Sequence, residues 1–486
     1  MRIPAFIGGS YPSQSIIADG EVTMNWYPEL LAEMPGRLNA PLNRVVLYPT
    51  PGQQAFVTVP DIGARGFHSM NNRLHAVIGM SVREVFATKT TIERGRMAQD
   101  GNPAQMAANG RTGNQLLVCS GGTIAWLDLA TNVLTALALP ANVLQIGAID
   151  GFGLAFVPTT GRVYVSDRED FSTWDPTQFL ARSTAPDPWT AMISADRTGR
   201  RELWLIGEHT GEVYYESGRF PVPFDLIPGS LFNYGTLAPW SLAAAGDEIL
   251  WLSHTYQGAT IVVAARGYTP QRISTHAVEA AIATYQRTST ITDAEAFTYQ
   301  DQGHNFYVLR FPTANATWVC DRTTGLWHQR GTWVPADNRY ALWRPRVHAH
   351  AFGQHLVGES GTGQISVLDT ALGTEADGSA IRRQRITPAL FGEHRQFPIR
   401  QLEVFLEAGL GTRTGQGAAP RVALRNSDDG GKTWSIERTA SAGRMGAYGT
   451  RVRWTRLGRS SNRVFEVTCS DPIPWRLMDA FVNHDV

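Results

Sequence analysis

The chain is almost without lysine: of its 43 basic residues only Lys89 and Lys432 are lysines, and the rest are arginines. That bias suits interfaces built on bidentate guanidinium–carboxylate pairs, although a GC-rich coding sequence explains it with less and carries the greater weight. Net charge is missing as well. The 43 basic residues meet 43 acidic ones, so no overall field would hold a polyanion or a membrane surface, which argues against a tight nucleic-acid binder. Cysteine is scarce. Cys119, Cys320 and Cys469 are odd in number and far apart, which excludes a disulfide framework, a zinc ligand set or a redox pair and leaves reduced, buried thiols. No apolar run reaches the ~18 residues of a membrane span, and the first residues, Arg2 to Gly9, lack the apolar stretch of a secretory signal. Synthesis and assembly in a cytoplasm are therefore expected.

What the chain does have is apolar surface in short pieces. Apolar residues make up 43%, with 14 Trp, while 47 Gly and 27 Pro are spread along 486 residues. This is the composition of many short strands joined by tight turns. Seven segments share one pattern, an apolar strand, a turn and a second apolar strand, with first strands starting at 74, 116, 154, 203, 249, 306 and 355. Leu203-Trp204-Leu205-Ile206 turning at Gly211 into Val213-Tyr214-Tyr215 is typical of them. The spacing suits four-stranded blades of ~40–50 residues, and radial repetition protects the edges of antiparallel sheets. The expected fold is all-β: a β-propeller of six or seven blades over residues 61–375, a segment 1–60 packing on or closing it, and a C-terminal β-sandwich-like domain over 376–486. Residues 370–378 read as a linker, and strands such as 402–407, 421–425, 451–454 and 463–467 alternate as a half-buried sheet does.

Among local motifs the sharpest is Ser427-Asp428-Asp429-Gly430-Gly431-Lys432-Thr433-Trp434, an Asp box. Ser427, Asp429, Gly431, Thr433 and Trp434 are expected to form a structural turn, with side-chain oxygens bonding the backbone and glycine supplying positive φ. The box also occurs in sialidases, and Arg2-Ile3-Pro4 matches a tripeptide near their start. Here, however, it occurs once, outside the repeats, and no Tyr and Glu pair stands out as a nucleophile. His348, His350 and His355 lie close together without an acid or cysteine to complete a metal site, so no metal and no cofactor are expected. The cluster Gly409-x-Gly411-x-x-x-Gly415-x-Gly417 precedes a strand and not a helix, which removes the nucleotide-loop reading and leaves a mobile loop. Arg451, Arg453, Arg456, Arg459 and Arg463 could touch phosphate, but nearby Glu437 and Glu466 favour a protein interface.

Several stretches together resemble one family, the packaged-DNA stabilisation proteins that form the tail tube or nozzle of short-tailed bacteriophages. They are residues 22–29 (Val-Thr-Met-Asn-Trp-Tyr-Pro-Glu), Thr50-Pro51-Gly52 with Arg65-Gly66, 106–110, 272–279, 298–309 (Thr-Tyr-Gln-Asp-Gln-Gly-His-Asn-Phe-Tyr-Val-Leu), 327–330 (Trp-His-Gln-Arg), 427–434, 456–459 and 463–467. The resemblance implies a propeller-bearing virion protein without catalytic residues. It implies assembly as a hexameric ring below the portal and adaptor, which stabilises packaged DNA and forms the ejection channel. Its implied partners are copies of itself, the adaptor or head-to-tail connector, needle, fibre or tailspike proteins, and genomic DNA in transient non-specific contact. Balanced charge suits a conduit along which DNA must slide. The alternative is a propeller that cleaves or binds glycans; a cleaving enzyme would need carboxylates or arginines converging on the axis.

Overall fold

A computed structural model of the chain describes residues 2–483 apart from 14, 16–18, 32–44, 111–112, 141, 198 and 393–394; those positions of the segment 1–60 lie outside the described residues. Each of the seven hairpins becomes the two middle strands of a four-stranded antiparallel sheet. Their apolar runs follow from this placement. A blade is covered on both faces by its neighbours, so middle strands such as Leu203–Ile206 are fully buried along their length and need apolar residues on both sides. Between blades the large side chains interlock, as where Trp204 and Trp251 approach to 6.4 Å with Phe232 beside both.

Six blades are continuous in sequence, covering 64–96, 105–136, 145–181, 189–226, 243–272 and 295–329. The seventh takes three strands from 345–369 and its outermost strand, Gly52–Thr58, from the other end of the propeller sequence. The innermost strand of this blade, Pro345–Ala351, packs against that of the first, Ala64–Met70, so the ring closes at seven blades with a non-local strand pairing as its clasp.

The sandwich is built from both ends of the chain. One sheet orders Gly20–Met24, Arg383–Ile386, Asn462–Cys469, Arg421–Ser427 and Arg438–Ser441; the other orders Trp26–Leu30, Val45–Pro49, Leu477–Val482, Gln401–Leu406 and Val452–Thr455. Trp26, Leu47, Leu402, Leu424, Trp454, Phe465 and Trp475 fill the space between them. The chain passes from one sheet to the other at Asn25, whose φ of 58° is in the left-handed region that Asn tolerates. Its side chain donates to Gly331 O and Arg382 O, each at 2.8 Å, and accepts from Gly331 N at 3.0 Å. A parallel pairing of Met24 with Gln329 makes the first sandwich sheet continuous with blade six.

One element departs from the hairpin pattern. His276–Thr288 is an α-helix between blades five and six, capped by Thr275, with Val278 and Ile282 buried. The i, i+4 spacing of those two residues and the N-cap threonine are ordinary helix signals, outweighed in the sequence by the strands around them.

Candidate functional site

The propeller axis is where an enzyme or binding module would place its chemistry. At one end lies a cavity of about 470 Å³ lined by His68, Met70, Met106, Ala148, Ser194 and Asp196. His68 is held neutral, its pKa brought down to about 4 by burial, and Asp196 is engaged by Arg201 at 2.9 Å. The other end narrows to about 170 Å³ among Arg65, Gln105, Gln145, Trp240, Glu295 and Arg346. Trp240, on the short 3-10 turn Pro239–Ser241, also lines the adjoining cavity beside Ser120 and Asn142.

Charged groups do converge there, but each is already occupied. Glu295 bonds Arg310 through one oxygen and Arg346 Nε at 2.8 Å through the other. Arg65 donates to Gly79 O at 2.9 and 3.0 Å, to Asn102 O at 3.2 Å and to Ser120. The glutamines stitch blades together. Gln105 accepts from Ile146 N at 2.8 Å and Gln145 from Met192 N at 2.6 Å, so successive inner strands are tied by the same device.

A second concentration of polar side chains lies where blades six and seven meet the sandwich. Arg330 is 1% exposed and stacks over Tyr299, Phe306 and Trp343 with its guanidinium carbon 5.4, 5.1 and 4.9 Å from the ring centres. His304 Nδ1 donates to Asp321 at 2.8 Å, and that hydrogen bond raises the histidine's pKa. Fully buried Arg385 bonds Phe6 O at 2.7 Å, Ala5 O and Gly9 O at 2.9 Å, Thr23 Oγ1 at 2.8 Å and Glu21, fastening the start of the chain to the sandwich. Residues 22–29, 298–309 and 327–330 come together at this junction, where the Tyr27 ring meets those of His304, Phe306 and His328.

The Asp-box residues form one turn between Arg421–Ser427 and Arg438–Ser441. Asp429 accepts from Lys432 N and Thr433 N at 2.9 Å and from Thr433 Oγ1 at 2.7 Å, which holds its carboxyl far below the usual range, while Ser427 Oγ accepts from Gly431 N at 2.8 Å. Gly430 and Gly431 have φ of 77° and 97°, and the Arg425 guanidinium lies 5.5 Å from the half-buried Trp434 ring. Arg2 is not at the axis: it pairs with Asp479 of the sandwich at 2.6 Å. His348 Nε2 meets His355 Nδ1 at 3.0 Å, and burial brings the His348 pKa down to about 3; no metal-binding group of three such side chains exists among the described residues. The arginine group divides. Arg463 is buried against Asp428 at 2.6 Å, Arg451 pairs with Glu403, and Arg453, Arg456 and Arg459 are exposed. The glycine cluster leads into the strand Arg421–Ser427, with Thr412 N bonded to Gly417 O at 2.9 Å. All three cysteines are free and buried, and burial pushes the thiols of Cys119 and Cys320 up to about 12.

Comparison with known families is decisive. Residues 27–373 match the model of the bacteriophage P22 Gp10 β-propeller, and residues 382–485 match that of the P22 Gp10 β-sandwich. The chain belongs to the P22 Gp10 family. This is a family of phage virion proteins, and its two domains account for the propeller and the sandwich seen here. No curated protein matches by sequence. Similar solved structures include the extracellular domain of a hybrid two-component system from B. thetaiotaomicron (10% identity, 88% of this chain and 61% of that one, TM-score 0.43). Others are a chain of the S. cerevisiae Dbp5 complex with Nup159, Gle1, IP6 and ADP (9%, 68% and 96%, 0.40) and an exo-β-1,3-galactanase from Phanerochaete chrysosporium (8%, 90% and 100%, 0.30). At such TM-scores these likenesses bear on neither fold nor chemistry, and the P22 Gp10 match stands by itself.

The sequence marks the Asp-box turn but does not mark the junction residues as a group. Arg385, Arg330 and Glu295 carry no local pattern that separates them from the exposed arginines and glutamates. Arg330 lies in one of the stretches that resemble the family and Glu295 lies close to another, whereas Arg385 is far from all of them in sequence.

Proposed function

We propose that the chain is a non-enzymatic structural subunit of the phage tail tube or nozzle, attached as a hexameric ring below the portal and adaptor, where it stabilises packaged DNA and contributes to the ejection channel. The observation that carries this reading is the match of both domains, in order, to the P22 Gp10 family. Adaptor, needle, fibre or tailspike proteins would be its neighbours, and the virion its location.

The axis of the propeller supports the same reading. At its narrow end the axis holds a cavity of only about 170 Å³, room for a few waters at about 30 Å³ each, so a DNA conduit would have to be formed between copies of the chain. Equal numbers of basic and acidic residues would limit phosphate retention during ejection. Glycoside cleavage needs two available carboxyl groups facing a cleft, whereas the axial Glu295 has both oxygens engaged by arginine. The Asp-box turn then serves as a rigid hairpin of the sandwich.

The test is to grow the phage without this chain. Heads should package DNA and then lose it on dilution, with no tail extending below the adaptor. Stable DNA-filled heads bearing complete tails would overturn the proposal.

A further inference from the structure

Equal totals of acid and base conceal an uneven distribution. Residues 382–485, the sandwich portion, carry 17 basic and 10 acidic residues, whereas residues 27–373 carry 25 basic and 29 acidic. Within the propeller the acidic surplus is concentrated in blades three and four, where residues 145–226 hold 12 acidic residues against 7 basic. Both surpluses gather at the surface. Arg456 N donates to Arg400 O at 2.7 Å, Arg459 pairs with Pro398, and Arg453 follows on the same paired segments, so four exposed arginines crowd one end of the sandwich. At blade three Glu169 N donates to Gly151 O at 2.8 Å, which brings the turn holding Asp150 against the turn holding Asp167 and Glu169, all three exposed.

Neither patch is neutralised from within. Glu403, across from Arg453, is engaged by Arg451, and Asp428 is engaged by Arg463. Among the described residues no carboxylate oxygen comes within 4.0 Å of Arg400, Arg453, Arg456 or Arg459, and no cationic nitrogen comes within 4.0 Å of Asp150, Asp167 or Glu169. Arg168, between the acids, has its guanidinium carbon 5.9 Å from the Phe152 ring centre. Nor can the two patches meet in one chain. The sandwich is continuous with blade six through the pairing of Met24 with Gln329, and in a closed ring of seven, blade three lies opposite the boundary of blades six and seven.

We propose that the arginine end of the sandwich docks on the acidic end of blade three of a second copy of this chain. Guanidinium groups pair with carboxylates through forked donors, and complementary patches steer two surfaces together and fix their register. The acids of blade three favour a second copy over nucleic acid as the occupant, because the chain itself carries the matching charge on its far side. Since the patches lie on opposite sides of the molecule, the contact is heterologous: each copy offers one of each, and successive copies join head to tail into a closed ring or an open filament. The contact deepens the structural reading above and rests on it only for the place where copies meet, the virion.

The test is sedimentation velocity of the full chain with reversed charges. At low salt the parent should self-associate, and at about 1 M salt, where the Debye length is about 3 Å, the association should weaken tenfold or more. Arg400→Glu with Arg456→Glu, and separately Asp167→Arg with Glu169→Arg, should each weaken it tenfold or more at low salt. An equimolar mixture of the two double variants should recover it, because altered then meets altered and unaltered meets unaltered. All four side chains are exposed, so the urea midpoints should stay at that of the parent; should a reversal disturb folding, Arg453→Gln with Arg459→Gln should give the same loss. A parent that stays monomeric at low salt, association indifferent to salt or to the variants, or a mixture that fails to recover would each overturn the proposal. So would a monomeric parent that binds labelled duplex DNA through these arginines, which would assign them to phosphate instead. None of these outcomes depends on whether the chain is found in virions, so a failed contact and a failed structural reading remain distinguishable.

Discussion

Blades two to five and the junction of blades six and seven with the sandwich are held together by different physics. In the first region the contacts between blades are apolar and repeated, with Leu, Val, Ile and Trp from successive sheets filling the space between them. In the second, buried guanidinium groups do much of the fastening. Of the six arginines that are 1% exposed or less among the described residues, only Arg65 precedes blade six, while Arg310, Arg330, Arg383, Arg385 and Arg463 belong to that blade or to the chain beyond it. Apolar packing tolerates many arrangements of similar volume, whereas a buried guanidinium bonded as Arg385 is needs its particular acceptors in place. The blades supply bulk stability, and the junction fixes how the sandwich sits on the propeller.

Arg385→Met should break this contrast most severely. It leaves the carbonyls of Ala5 and Phe6 and the carboxylate of Glu21 without their donor, at a cost of about 3–5 kcal/mol. Urea unfolding should show the loss, and limited proteolysis should show cleavage before residue 20 ahead of the propeller.

Glu375→Gln should act in the opposite direction. Burial pushes this carboxyl up to about 7, against the opposing pull of Arg344 and Arg383 and with the repulsion of Asp377 and Glu359. In the unfolded chain it ionises near ~4.3, so the folded state binds the extra proton between these values and stability falls as pH rises from about 4.3 to about 7. The glutamine variant should therefore match the parent at pH 4 and exceed it at pH 8 by on the order of 1–3 kcal/mol, read as urea midpoints at the two pH values.

Within the blades the effects should be smaller and local. Ile249→Val in blade five, at a fully buried position, should cost about 0.5–1.5 kcal/mol and leave proteolysis of the first twenty residues unchanged. Asp429→Asn should do least. It loosens the exposed turn, visible as faster amide exchange at Lys432 and Thr433, with the unfolding midpoint of the chain unmoved.

The same contrast decides what can be read from the sequence. The middle strands of the blades are legible because burial on both faces demands apolar runs that stand out from their turns. The Asp-box turn is legible because its bonds are local, between Ser427 and Thr433. The clasp strand Gly52–Thr58 pairs with Gln364–Asp369 from across the chain, and Gly20–Pro49 supplies strands to the sandwich; no local pattern encodes such partners. Nor does periodicity distinguish the buried Arg385 from the exposed Arg453. Only the fold assigns one to carbonyl oxygens and the other to solvent.

Immunogold electron microscopy of intact virions, with antibody raised against this chain, tests the structural reading most directly. Label at the tail, below the portal, is the expected result; virions that carry no label and contain none of the chain by mass spectrometry would contradict it.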